Sequence, residues 1–124
     1  MIPLQNNPNE QFTKILIHIS IESWRFARLF SRVLTKLDAG EDARYINQYR
    51  YYLRQLEECL ESAGLRLVNV EGQLYDPGMA ATALNIEDFN PDDRLLVDQM
   101  IEPIIMGPQG LIRSGTVMLR KAEL

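Results

Sequence analysis

The stretch Glu10–Leu37, EQFTKILIHISIESWRFARLFSRVLTKL, decides the fold, because it supports two incompatible readings. Ile15, Ile17, Ile19 and Ile21 alternate as they would in a strand. Phe12, Ile15, Ile19, Phe26, Phe30, Val33 and Leu37 recur instead at steps of three, four or seven, which is one stripe of a helix. The helix is preferred: no Gly or Pro interrupts the stretch, and its continuation from Trp24 to Leu37 has no strand-like alternation. Lys14, His18, Arg25, Arg28, Arg32 and Lys36 gather on the opposite side. In the helix Ile17, Ile21 and Trp24 point away from the main stripe. The N-terminal half is then apolar on two sides, more than one partner helix can cover. A two-fold four-helix bundle covers both, with Ile15, Ile17, Ile19, Ile21, Trp24 and Phe26 as the expected dimer interface.

Working outward, residues 1–9 are rich in Asn and Pro and are expected to be a flexible N-terminus, with Asn9 or Asn7 capping the helix. On the other side, Asp38-Ala39-Gly40-Glu41 breaks the pattern, and Asp38 with Glu41 fits a capping box. A second helix over about 41–63 follows, with Ile46, Tyr49, Leu53, Leu56, Leu60 and Ala63 as its stripe and Tyr45, Tyr52 and Cys59 widening it. So short a link predicts an antiparallel hairpin over 10–63. Gly64 is a natural left-handed stop.

From Gly64 to the end the sequence predicts a small β domain, 64–124. Residues 65–70 are strand-like, Glu71-Gly72 signals a turn, and Gln73-Leu74-Tyr75 can return as a strand. Asp76-Pro77-Gly78 is a second turn. Asn85 to Asp93 reads as an exposed loop. Residues 94–105 are a strand or a short helix, limited by Pro103. Gly107-Pro108-Gln109-Gly110 turns the chain into a closing strand pair, 111–113 and 116–119. The fold class is therefore α+β.

Composition narrows the function. The chain has 124 residues, 46% of them hydrophobic and 24% charged, which suits a folded domain. A net charge of −4 argues against nucleic acid, since phosphate contacts need a clustered cationic surface. No apolar run nears the roughly 20 residues of a membrane helix, and residues 1–11 lack the pattern of a secretory signal. A reducing cytoplasm is the expected setting, without a membrane. With His18 the single histidine, neither a Ser-His-Asp triad nor a two-histidine metal site can be built. His18 is read as solvated or interfacial. Cys59, the single cysteine, is read as packing on the buried flank of helix 2. Glu87, Asp88, Asp92, Asp93 and Asp98 make an acidic loop, solvated or facing a partner, whose spacing lacks the glycine and distal Glu of a calcium loop. The basic stripe of helix 1 is a wet face or a contact for an acidic protein. No catalytic residue, metal ligand or cofactor is expected, so an enzyme is the least supported class.

The order of parts resembles the C-terminal half of the GrpE family. Those parts are a helix pair, Gly64-Leu65-Arg66-Leu67-Val68, the turn at Gly72, Tyr75-Asp76-Pro77, and a closing segment Leu111-Ile112-Arg113-Ser114-Gly115-Thr116-Val117-Met118-Leu119. The likeness runs over residues 26–122, truncated and divergent. Gly78-Met79-Ala80-Ala81 stands where the family has a His-Glu-Ala element, Met106–Gly110 replaces its late Gly-Tyr, Arg113-Ser114-Gly115 replaces Arg-Pro-Ala, and most of its long stalk helix is absent. The resemblance implies a homodimeric co-chaperone whose β domain docks on the ATPase domain of an Hsp70-like chaperone and promotes ADP release. Tyr75, Asp76, Met79 and Arg113 are the expected partner-binding residues. The alternative it leaves open is a GrpE-like dimeric scaffold or adaptor for a different protein.

Overall fold

The computed structural model describes residues 8–37 and 39–123. The chain is α+β: a hairpin of two long helices, then a small all-β part with two sheets. It divides into two compact units between Leu56 and Glu57, each taken by itself below.

Helix α1 spans Pro8–Leu34 and α2 spans Ala39–Ser62. The Ile15–Ile21 alternation is thus carried on a helix. Proline in the first turn is tolerated because that position has no intrahelical acceptor for an N–H. Asn9 lies inside α1 rather than capping it, and its carbonyl accepts from Thr13 Oγ1 at 2.8 Å. The expected caps at Asn7 and Asp38, and most of the expected flexible N-terminus, fall outside the described residues. Phe30 of α1 and Tyr49 of α2 meet across the hairpin, with ring centroids 6.5 Å apart.

The two apolar sides of α1 exchange the roles that periodicity gave them. The buried side is Ser20, Ile21, Trp24, Ala27 and Leu34, with Ile21 at 3% and Trp24 at 7% exposure. The longer stripe is the exposed one: Phe12 is 66% and Phe26 67% exposed, and Ile15, Ile19 and Val33 are also open. The buried side escaped notice because two of its members, Ser20 and Ala27, are small. The Ser20 hydroxyl is satisfied by donating to Leu16 O at 2.7 Å. On α2, Ile46, Tyr49, Leu53 and Leu56 are half-buried and Leu60 is buried, as their spacing predicts. Tyr45, Tyr52, Cys59 and Ala63 are exposed, so Cys59 does not pack on a buried flank.

The second unit opens on the last turns of α2. Gly64, at φ +76°, ends the helix: its N–H donates to Glu61 O at 2.9 Å and that of Leu65 to Leu60 O at 2.8 Å. This is the double bond pattern of a Schellman stop, with Leu60 and Leu65 as its buried apolar pair. One sheet has the order β1 (Arg66–Val68), β4 (Ile104–Gly107), β5 (Gly110–Arg113), all antiparallel. The other has the order β2 (Ala81–Ala83), β6 (Gly115–Lys121), β3 (Leu95–Glu102), with β2 parallel and β3 antiparallel to β6. Pro103, fully buried, carries the chain from β3 to β4 between the sheets, and Ser114 carries it back from β5 to β6. Val97, Met100, Ile105 and Val117 form the core of this unit.

Several expected pairings change. Residues 73–75 do not return against β1 but run along β3, where Tyr75 N–H donates to Leu95 O and Val97 N–H to Gln73 O. β5 and β6 do not pair with each other; they belong to different sheets. Residues 95–102 are a strand, and Asp98 therefore leaves the acidic loop to sit in β3, 3.1 Å from Arg120. The helix-or-strand ambiguity has a physical source. A register shift between Val97 and Gln99 makes the buried positions Leu95, Val97 and Met100, so the second step is three residues long and imitates a helix.

Candidate functional site

No three His, Cys, Asp or Glu side chains come together to hold a metal ion among the described residues. No helix there is long and apolar enough to cross a membrane. What the chain offers are surfaces, one on each unit.

On the helical unit, the exposed stripe of α1 continues onto α2. Phe26, Ala27 and Phe30 line a shallow cavity of about 260 Å³ together with Gln48, Tyr49 and Tyr52. Exposed Phe12, Ile15, Ile19, Leu29 and Val33 extend the apolar surface along α1. Of the residues expected at a dimer interface, Ile15, Ile19 and Phe26 are exposed and Ile17 is half-buried, whereas Ile21 and Trp24 are already covered within one copy. Arg25 is 3.5 Å from Glu22, and Arg28 lies 5.9 Å from the Trp24 ring centre, a cation–π distance.

On the β unit, three of the four expected contact residues, Tyr75, Asp76 and Met79, lie on or beside one tight turn, and the fourth, Arg113, ends β5. Tyr75 is half-buried beside Leu95, at the start of β3. Arg113 lies at the other end of that strand, its Nη2 3.4 Å from Glu102 Oε1, which also accepts from Thr116 Oγ1 at 3.2 Å. Leu95 and Glu102 are the first and last residues of β3. Asp76 is exposed and organises its own turn: Oδ1 accepts from Gly78 N–H and its carbonyl from Met79 N–H, both at 2.9 Å. Met79 is half-buried just ahead of β2, where Ala80 O accepts from Gly115 N–H. Met79 therefore links the turn after Tyr75 to the start of β6 at Gly115.

Sequence reasoning missed the surface around Tyr75. Leu74, 50% exposed, and Ile86, 43% exposed, stand open next to it, and Phe89 follows Ile86 by one turn of a 3₁₀ helix, Ile86–Asp88. The signal was present: two large apolar residues three apart inside an otherwise acidic loop.

No family model and no solved structure matches the chain. It is similar to the Protein GrpE of Oceanobacillus iheyensis, 31% identical over 71 residues, a span that covers 57% of this chain and 37% of that protein.

Proposed function

We propose that this chain is a GrpE-like co-chaperone: a cytoplasmic homodimer, without catalytic groups of its own, whose β unit docks on the ATPase domain of an Hsp70-like chaperone and promotes ADP release. The observation that carries it is the sequence similarity to a Protein GrpE together with the matching order of parts, helical hairpin then small two-sheet unit. The exposed apolar face of the hairpin supports the dimer. Monomers rarely leave an apolar patch of more than a few hundred Å² open, and covering it is worth about 25 cal/mol per Å². A second copy of the same face is the natural cover, with Phe12, Ile15, Ile19 and Phe26 at its centre. Exchange then needs no chemistry. A factor that binds the open nucleotide cleft better than the closed one shifts that population, by no more than its differential affinity.

Release of a fluorescent ADP from an Hsp70-like ATPase of the same cell tests this directly. Acceleration that saturates with added protein is expected; an unchanged rate at saturating protein rejects the exchange function. A second reading, a dimeric scaffold serving a different protein, is favoured by one observation: Gly78-Met79-Ala80-Ala81 stands where the family carries His-Glu-Ala. Capture of partners from the native cell separates the two, an Hsp70-like ATPase supporting the first and its absence from a specific complex the second.

A further inference from the structure

We propose that the groove beside Tyr75 binds an extended segment of another protein that carries apolar anchors flanked by Lys or Arg. The groove encloses about 510 Å³, within the range of ligand-binding clefts, and its apolar wall is Leu74, Tyr75, Pro77, Ile86, Phe89 and Pro91. The charged residues of its lining are Asp93 and Arg94, and the chain segment that forms it is acidic. Between Leu74 and Leu95 the chain carries Asp76, Glu87, Asp88, Asp92 and Asp93, and the basic side chains set against these five are Arg94, in the lining, and Lys121, 3.7 Å from Asp93. Asp76, Glu87, Asp88 and Asp92 are all exposed. Such a field repels phosphates and anionic lipid headgroups and attracts a cationic peptide.

Two features favour an extended occupant in a preformed site. Gln73 and Tyr75 turn their backbone groups toward β3, so alternation turns the N–H and C=O of Leu74 to the outer edge, where an added strand finds partners. The far wall is held in place at both ends. Asn85 ties the start of the loop to Leu119, and Asp93 Oδ2 accepts from Asn90 N–H at 2.9 Å at its end. A wall fixed before binding loses less entropy when the ligand arrives. The proposal goes beyond ADP release and does not require it: a peptide site can serve any partner, and the exchange assay can fail while this one succeeds.

The probes are three fluorescein-labelled octapeptides: Leu and Phe alternating with Lys, the same with Glu for Lys, and the same with Ser for Leu and Phe. Anisotropy titrations with the full chain in low salt are expected to show saturable binding of the first alone, weakening by about tenfold or more as salt screens the rim. Glu87→Lys with Asp88→Lys should weaken that binding by at least about tenfold, and Ile86→Ser likewise, since each removes part of the recognition. Phe26→Asp, on the helical face, should leave it unchanged, and amide shift changes in a nitrogen-15 spectrum should centre on Leu74, Ile86 and Phe89. Equal binding of the Lys and Glu peptides, loss of binding with Phe26→Asp, or shift changes confined to α1 would overturn the proposal. Binding that falls as the chain's own concentration rises would assign the groove to a second copy and overturn it too.

Discussion

Asn85 exchanges two hydrogen bonds with the backbone of Leu119: its Nδ2 donates to Leu119 O and its Oδ1 accepts from Leu119 N–H, both at 2.9 Å. One side chain thereby stands in for a strand residue. β2 ends at Ala83, Leu84 N–H donates to Val117 O at 3.0 Å, and the Asn85 amide continues the pairing of β6 where no backbone follows. Only a primary amide offers a donor and an acceptor in that geometry. Asn85→Ala leaves two half-buried backbone groups unpaired and should cost about 2–4 kcal/mol in urea unfolding, at about 1–3 kcal/mol per unsatisfied group with partial access to water. Asn85→Asp keeps the acceptor but faces a carboxylate toward a carbonyl, so it should be at least as costly. A loss below about 0.5 kcal/mol in either variant would show that the pair is not a structural tie.

Gly115 and Gly107 look alike in sequence and should behave differently when given a side chain. A Cβ on Gly115 would meet Glu102 O at 2.9 Å, Met100 Cε at 2.8 Å and Ile104 Cγ1 at 3.0 Å, and the first of these is backbone held in β3. Gly115→Ala is therefore expected to destabilise by about 1–3 kcal/mol through overpacking. A Cβ on Gly107 would collide chiefly with Ile112 Cδ1, the far end of an exposed side chain that can rotate away. Gly107→Ala should cost less than Gly115→Ala in paired thermal melts, and the reverse order would refute this account.

How much of this was legible in the residues depends on which interaction decided each element. Helix α1, helix α2, the Gly64 stop and the Asp76-Pro77-Gly78 turn are set by local spacing and backbone preference, and each is present, although α1 ends at Leu34 rather than Leu37. Strand partners are set by contacts remote in sequence. Nothing local to Gln73–Tyr75 chooses β3 over β1, and nothing in Leu111–Leu119 says that Ser114 is a crossing between sheets. β2 is three residues of Ala-Thr-Ala, too short and too weak in β preference to announce itself. The buried side of α1 was hidden because two of its members, Ser20 and Ala27, are too small or too polar to mark an apolar stripe. The expected contact residues Tyr75 and Arg113 could be picked as side chains, but which strands they lie beside is set by pairings remote in sequence.

The two sides of α1 give a paired test. Trp24 is buried, and Trp24→Ala should lower folding stability by about 3–5 kcal/mol, the usual cost of emptying a large aromatic site. Its indole Nε1 is buried without a hydrogen-bond partner, so Trp24→Phe, which removes that donor, should recover most of the loss. Phe26 is exposed in a single copy, so Phe26→Asp should leave the circular dichroism spectrum unchanged while light scattering reports a shift from dimer to monomer. A chain that is monomeric at micromolar concentration before any substitution would remove the dimer.

A half-buried carboxylate contact makes a further prediction. Register shifts on either side of Gln99 and Met100 interrupt the ladder of β3, and Glu71 Oε2 accepts the Met100 N–H at 2.7 Å. The same loop is anchored by Val70 N–H donating to Met100 Sδ at 3.4 Å. Glu71→Gln keeps an acceptor oxygen and should cost less than about 1 kcal/mol, whereas Glu71→Ala should cost about 1–3 kcal/mol. Equal losses for the two, in the same urea series, would mean that the side chain's packing rather than its oxygen matters.

Substitutions at Arg113 test the proposed partner binding apart from folding. Its guanidinium is half exposed, and its pairing with Glu102 at 3.4 Å is a surface contact of the kind worth about 0–1 kcal/mol. Arg113→Ala and Arg113→Glu should therefore both fold, with Arg113→Glu slightly the weaker because it places a carboxylate beside Glu102. If the Arg113 end of β6 meets a carboxylate on an Hsp70-like ATPase, the two variants diverge in function. Arg113→Ala should slow ADP release modestly, and Arg113→Glu should abolish its acceleration, because charge reversal adds repulsion to the lost pair. A concentration series distinguishes weaker docking from failed opening: the first moves the half-maximal concentration, the second lowers the plateau. If Arg113→Glu accelerates release as the natural chain does, with the circular dichroism spectrum unchanged, Arg113 is no part of the docking surface, and the contact has to be sought at the Tyr75 end of the sheet.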